Sequence, residues 1–426
     1  MVHFLKASKQ HNLDSLISEA SKFFSHERYR GTGDGVISKR PRLRPVFSLA
    51  HWVSQSGLGN MALLVSIILF YYPFRRPIGG SIFQYGMSAN NIRSFKRINA
   101  CAGQSDLDPM INGKPLSLLR RFSCLFPLSK LWYASNVLKR QRAISPFSHA
   151  QLVITSGAWL IYGKEDFSKI EVICVASDHS PITMALLHIA RSRHIKTCYL
   201  QHAPVANYFP PLNYDLAVLF DRQSLALYQE TAANRGTVNK GKVVILPPFE
   251  ENATSISIGK PPFRVGVFLS YLFDEPPLSA LISALVDHPN VGSIHIRRHP
   301  RCKADIHEFT KYASVDEPKS ASVVEFISQC DIALVPNSGV AIEALHLGVP
   351  TFYTSGVDYI ENDYYGFVQA GILPIFDIDT IACADKIAAF FDKSWLRNFI
   401  IYDETSAVDL THSQNIAGTA FQALLK

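Results

Sequence analysis

From Glu171 onward, short unbroken apolar runs alternate with longer amphipathic stretches, and that rhythm predicts the fold. Val172–Ala176 is purely apolar over a strand's length, the pattern of a parallel strand covered on both faces. Pro181–Arg193 follows as a helix, with proline in its first turn, apolar Ile182, Leu186, Leu187 and Ile189, and arginines at its end. Next come strands Thr197–Leu200 and Leu216–Phe220, a helix Gln223–Ala233 and a strand Val243–Leu246. Strands alternating with helices predict a parallel sheet joined by right-handed crossovers.

A proline-rich polar break from Pro247 to Pro262 interrupts the rhythm, which then restarts. Strands are expected at Val265–Leu269, Ser293–Ile296, Ile332–Val335 and Thr351–Tyr353. Helices are expected at Leu278–Val286, Ala304–Tyr312, Ala321–Ser328 and Val340–Leu347. The expectation is an α/β chain of two doubly wound Rossmann-type domains, 1–255 and 256–426. They would face each other across a cleft at the carboxyl ends of both sheets, where open α/β folds bind ligands.

The first 140 residues are less regular. Pro45–Phe74 contains no Asp, Glu, Lys or Arg, and Met61–Phe70 is almost wholly aliphatic, with arginines on either side. Polar residues at 54–60 and Pro73 leave the apolar part of segment 45–74 too short to span a bilayer. Two readings stand: a buried helix or strand pair, or a surface-seated anchor whose arginines meet anionic lipid. Gly31-Thr32-Gly33-Asp34-Gly35 reads as a flexible turn, since neither a preceding strand nor a following Gly-Lys-Ser/Thr makes it a phosphate loop.

Composition narrows the class. The 426 residues are 47% hydrophobic and 18% charged, which excludes disorder and fibrous repeats. The net charge of +7 comes without a dense basic stripe interleaved with aromatics, so nucleic acid is not an expected partner. Seven scattered cysteines without a CxxC pair suggest buried thiols, and Met1–Lys6 opens no secretory leader, so a cytoplasmic protein is expected. No cofactor is called for; Asp377-Ile378-Asp379 and Asp106-Leu107-Asp108 match Asp-x-Asp only trivially, so no metal is expected either.

Candidate chemistry gathers at predicted strand ends. Strand Ile332–Val335 runs into Pro336-Asn337-Ser338-Gly339 and directly into a helix. Free amides at that turn suit a phosphate, the Ser338 hydroxyl can donate to it, and Glu343 one turn on can hold ribose hydroxyls. The same turn also reads as an ordinary helix cap. Strand Ser293–Ile296 runs into Arg297-Arg298-His299-Pro300-Arg301, a bunching of cations better explained by an anionic ligand than by packing. In the first domain, Asp178-His179 follows one strand and Gln201-His202-Ala203-Pro204 the next. Asp178 and His202 are equal candidates for a general base, with His179 after them.

The ordered set of strand–His-Pro-Arg and strand–Asn-Ser-Gly–helix–Glu-Ala-Leu-x-x-Gly-Val-Pro resembles the donor domain of GT-B-fold glycosyltransferases. It is most similar to bacterial capsule and lipopolysaccharide enzymes of the CMP-sugar-using sialyl, polysialyl and Kdo type. The resemblance covers about Arg264–Phe376, and Val172–Tyr228 loosely. It implies donor binding by Arg298, His299, Pro300, Arg301, Asn337, Ser338, Gly339 and Glu343. Two departures stand out: Asn337-Ser338 replaces a Ser-Ser pair, and Ser177-Asp178-His179-Ser180 stands where sialyltransferases carry an acidic-acidic-Gly motif. His202 resembles the histidine of a His-Gly motif in polymer-forming phosphotransferases, with Ala203 replacing glycine.

The implied activity is a metal-independent inverting glycosyltransfer to a glycan or lipid-linked acceptor, by a cytoplasmic enzyme that can touch the inner membrane face. The resemblance also implies that the last helix packs back on the first domain. The alternatives are a CDP-glycerol-type glycerophosphotransferase, a non-hydrolysing UDP-sugar 2-epimerase, and an inactive nucleotide-sugar-binding subunit.

Overall fold

The computed structural model describes residues 2–38, 42–71, 74–77, 80–104, 106–107, 113–141, 145–247, 256–316, 322–360, 363–392 and 410–425. The chain divides into two compact units, 1–246 with 411–426, and 247–410. Residue 255, the last of the expected first domain, and half of the proline-rich break lie outside the described residues. Asp108 does too.

The first unit carries a five-stranded parallel sheet of β1 (Ile82–Tyr85), β2 (Val172–Val175), β3 (Lys196–Leu200), β4 (Asn213–Leu219) and β5 (Lys240–Ile245), in chain order. All four residues of β2 are buried because helices cover both faces. On one face Val172, Cys174, Cys198 and Leu200 pack with Phe95 and Ile98 of helix Ala89–Cys101 and with Ala417 and Phe421 of the C-terminal helix Leu410–Leu425. On the other, Tyr199 meets Tyr228 of helix Arg222–Asn234.

Four helices precede this sheet: Val2–Phe24, Glu27–Ser38, Arg44–Val53 and Gly57–Phe70. Two expectations change here. The Gly31–Gly35 segment is helical rather than a turn; a β-carbon on Gly33 would fall 2.0 Å from the Phe147 ring, so glycine allows the helix to pack there. The apolar segment 45–74 supplies two helices and no strand pair. Leu64 and Ile68 are fully buried, and Gly157 lets Ile67 approach helix Pro146–Tyr162, yet helix Arg44–Val53 buries no residue. Among the described residues no helix is long and apolar enough to cross a membrane.

The second unit has a parallel sheet ordered β8 (Ser314–Asp316), β7 (Val291–Arg297), β6 (Phe263–Phe268), β9 (Ile332–Val335), β10 (Thr351–Tyr353). The order reverses between β6 and β9, the point at which open α/β sheets bind ligands in a crevice at the strands' carboxyl ends. The first unit's sheet has no such reversal. The expected helix over 304–312 is only a 3₁₀ turn, His307–Lys311, because the Asp305 carboxylate accepts from the His307 amide (2.9 Å) and competes with helix initiation. The α/β class and both Rossmann-type sheets are as expected.

The C-terminal helix gives a direct test of this packing. A β-carbon on Gly418 would lie 2.0 Å from the Cys101 carbonyl oxygen. Gly418→Ala gains about 1 kcal/mol of helix propensity but forces the helix off its seat, so it is expected to lower the thermal midpoint. A raised midpoint would show that the helix does not sit against residue 101.

Candidate active site

In the second unit, three loops leave the carboxyl edge around the crevice. After β6, residues 272–274 run beside 357–359: Phe273 bridges Asp358, and the Asp274 amide donates to the Val357 carbonyl (2.9 Å). This places Asp358 beneath the crevice, 1% exposed. Its carboxylate accepts from the Asn337 amide (3.1 Å), from the Ile360 amide (3.3 Å) and from Ser270. One buried carboxylate thus ties the loop after β6 to the turn after β9. Burial raises its pKa to about 6, against the opposing pull of those hydrogen bonds.

Asn337 is held from all sides: its side-chain nitrogen donates to the Tyr353 hydroxyl and the Ile360 carbonyl (both 3.2 Å), and its oxygen accepts from the Tyr364 amide (2.7 Å). Its amide therefore shapes the turn. Ser338 and Gly339 follow, half-buried, and Ser338 Oγ accepts a long 3.3 Å bond from the Val340 amide. Gly339 caps helix Val340–His346 at φ −62°, so the position does not require glycine for its backbone angle. Glu343, half-buried, lies one turn further along the same helix.

The basic run after β7 divides. Arg297 is buried, pairs with Asp316 and stacks on Phe326, which makes it a strut between β7 and β8. Arg298 donates to the Cys302 carbonyl (3.1 Å). His299 stands edge-on to Tyr271 with ring centres 6.1 Å apart, and its Nδ1 accepts from the Arg301 amide (3.1 Å). Burial, then the nearby Arg301 charge, pushes its pKa down. Pro300 and Arg301 are exposed, and the Arg301 guanidinium lies 5.0 Å over the Tyr271 ring. The structure brings His299 and Arg301 to the Tyr271 end of the ladder that carries Asp358 and, through it, Asn337-Ser338-Gly339. Sequence reasoning missed Tyr271 and Asp358.

In the first unit, Asp178, His179 and His202 come together at the ends of β2 and β3. Asp178 is buried; it accepts from His179 Nδ1 (2.5 Å) and from the Tyr228 hydroxyl (2.7 Å), which lies 3.1 Å from that of Tyr199. Burial alone would raise this carboxyl, but His179 and Tyr228 outweigh it and hold it below the usual range. The negative charge adds to burial in pushing the Tyr199, Tyr214 and Tyr228 phenols well up. His179 packs against Phe209 (4.3 Å) and Phe23 (5.2 Å), so the first helix reaches this sheet edge. Burial and neighbouring His179 depress His202 to about 4, leaving it neutral at physiological pH. Gln201 anchors that loop: its amide donates to the Ala203 carbonyl and to Ser224 (both 2.9 Å) and accepts from the Phe220 amide (2.8 Å).

No family model and no curated protein matches the chain. Among solved structures, it is similar to CalG4, the calicheamicin glycosyltransferase (12% identity, 82% of this chain and 97% of that one, TM-score 0.45). It is also similar to the glycotransferase of kitacinnamycin (11%, 82% and 98%, 0.42). A further similarity is to the GtfA/B complex (13%, 60% and 56%, 0.33), where the chain spans little more than half the length of its counterpart.

The clamp has a pH signature. A carboxyl with a folded pKa of about 6 against 3.8 destabilises the fold fully above pH 6, and the penalty fades as pH falls towards 4. Asp358→Asn removes that slope. The stability gap between wild type and variant, read from denaturant melts, is expected to shrink from pH 4 to pH 7 by on the order of 2 kcal/mol. A gap that is constant or widens with pH would contradict a buried ionising group.

Proposed function

We propose that this chain is a glycosyltransferase that moves a sugar from a nucleotide donor to a glycan or lipid-linked acceptor. What supports this reading is that His299 and Arg301 follow the carboxyl end of β7 and the Asn337-Ser338-Gly339 turn follows that of β9, the two strands that flank β6 in the second unit's sheet. There the phosphate of a departing nucleotide would meet a guanidinium, an imidazole and a serine hydroxyl. Arg298, Pro300 and Glu343 complete the proposed donor site.

On the acceptor side, His179 is the better base. Asp178 holds its Nδ1, as an orienting carboxylate does, which fixes the tautomer that carries its lone pair on Nε2. His202, at about 4, is too weakly basic for efficient proton removal near neutrality. In this mechanism the acceptor oxygen forms its bond to the anomeric carbon while the bond from that carbon to the donor phosphate breaks. The acceptor's proton passes to the general base, and the new charge on the phosphate is met by Arg301 and Ser338.

A CMP-linked ulosonic acid such as sialic acid or Kdo is the first donor to test, with a bacterial surface polysaccharide as product and the cytoplasmic face as setting. Melting scans with CMP, CDP, UDP and GDP separate the donors. CMP alone should stabilise the proposed enzyme, whereas stabilisation by CDP or UDP would redirect it to the glycerol or hexose alternatives. Arg301→Ala should weaken nucleotide binding by roughly 1.5–3 kcal/mol without moving the melting point. His179→Gln should keep nucleotide affinity and lose turnover; full turnover in that variant would remove His179 from the mechanism.

A further inference from the structure

The second observation concerns the surface of the first unit and stands apart from the sugar-transfer reading. Large apolar side chains left exposed in this structure are concentrated in residues 46–132. Trp52 is 73% exposed, Leu58 68%, Phe70 76% and Leu119 84%, with Leu49 and Phe122 also above half. They sit on helices that touch one another. Ser135 of helix Leu128–Arg140 donates to the Gly57 carbonyl (2.6 Å) at one end of helix Gly57–Phe70. At the other end Arg121 of helix Leu118–Ser123 donates to the carbonyls of Leu69 (3.4 Å) and Tyr71 (2.8 Å). Helix Arg44–Val53 turns Val46, Leu49 and Trp52 outward and buries nothing. Apolar exposure on this scale marks an interaction surface.

Charge decides between occupants. Residues 35–164 hold seventeen Lys and Arg against two acidic residues, Asp106 and Asp108, although the whole chain carries only +7. Exposed basic residues flank these helices: Arg42 and Arg44 lie just before and at the start of helix Arg44–Val53, and Arg76 pairs with Lys114 in a short antiparallel ladder between helices Gly57–Phe70 and Leu118–Ser123 in the chain. A second copy would bring like charge to like charge. An anionic bilayer supplies both a hydrocarbon layer for the tryptophan, leucines and phenylalanines and phosphates for the arginines. We infer that helices Arg44–Val53, Gly57–Phe70, Leu118–Ser123 and Leu128–Arg140 together form a docking surface for anionic phospholipid membranes, lying in the interface rather than crossing it.

The test is vesicle flotation of the full chain. Wild type is expected to float with vesicles of three parts phosphatidylcholine to one of phosphatidylglycerol, and to stay in solution with phosphatidylcholine alone. W52S/L119S/F122S should stay in solution with both, at an unchanged melting point, because those side chains are exposed. R42E/R44E, which leaves the apolar surface intact, should lose on the order of tenfold in partitioning. Wild type that ignores the anionic vesicles, or a triple variant that floats as wild type does, overturns the inference. So does a wild-type dimer that the triple variant dissolves and that does not float, since a second copy would then cover the surface.

Discussion

A single buried carboxylate organises the most chemically suggestive part of this protein. The strand order β8-β7-β6-β9-β10 opens a crevice between β6 and β9, but a reversal alone leaves two loops free to drift apart. Asp358 prevents that by accepting from Ser270 on one side and from the Asn337 amide on the other. Asn337 in turn holds Tyr353, Ile360 and Tyr364, so the turn that presents Ser338 and Gly339 is fixed from below. The raised pKa is the cost of placing a charge under the site, and the hydrogen bonds keep that cost moderate.

The first unit uses a carboxylate in the opposite sense. Asp178 is as deeply buried, yet its partners are a histidine and a tyrosine hydroxyl, and they hold it charged. That charge orients His179. Two aspartates at corresponding sheet edges thus take different roles because one meets mainly backbone amides and the other an imidazole. Around His179 the rings of Phe23 and Phe209 pack against the flank of the imidazole.

Much of this was legible in the sequence, and the reasons for the exceptions are physical. Strands β2, β6 and β9 announce themselves because a parallel strand covered on both faces must be apolar throughout. Strand β1, Ile82-Phe83-Gln84-Tyr85, breaks that rule with a buried glutamine, and only its distant partner Asn99 (2.7 Å) makes Gln84 affordable inside. Strand β8 is three residues long and includes the acidic partner of Arg297, which hides it among loop residues. The glycines at 31, 33 and 35 read as a turn because the reason for Gly33 is an aromatic ring more than a hundred residues away. Asp358 carried no local signal, since its partners come from loops that meet only in the folded sheet. The basic cluster after β7 was visible, but its division into the strut Arg297 and the exposed Arg301 depends on where the strand ends: Arg297 is its last residue, and Arg301 lies in the loop beyond.

In the reading proposed above, the carboxyl edge of the second unit recognises a nucleotide through its phosphate. Calorimetric titration with a matched nucleoside and nucleotide, cytidine against CMP first, tests it most directly. The nucleotide is expected to bind, and loss of its phosphate to remove most of the affinity, with the phosphate-dependent part weakening as salt rises. Equal affinity for nucleoside and nucleotide, or no binding of any nucleotide, would contradict it.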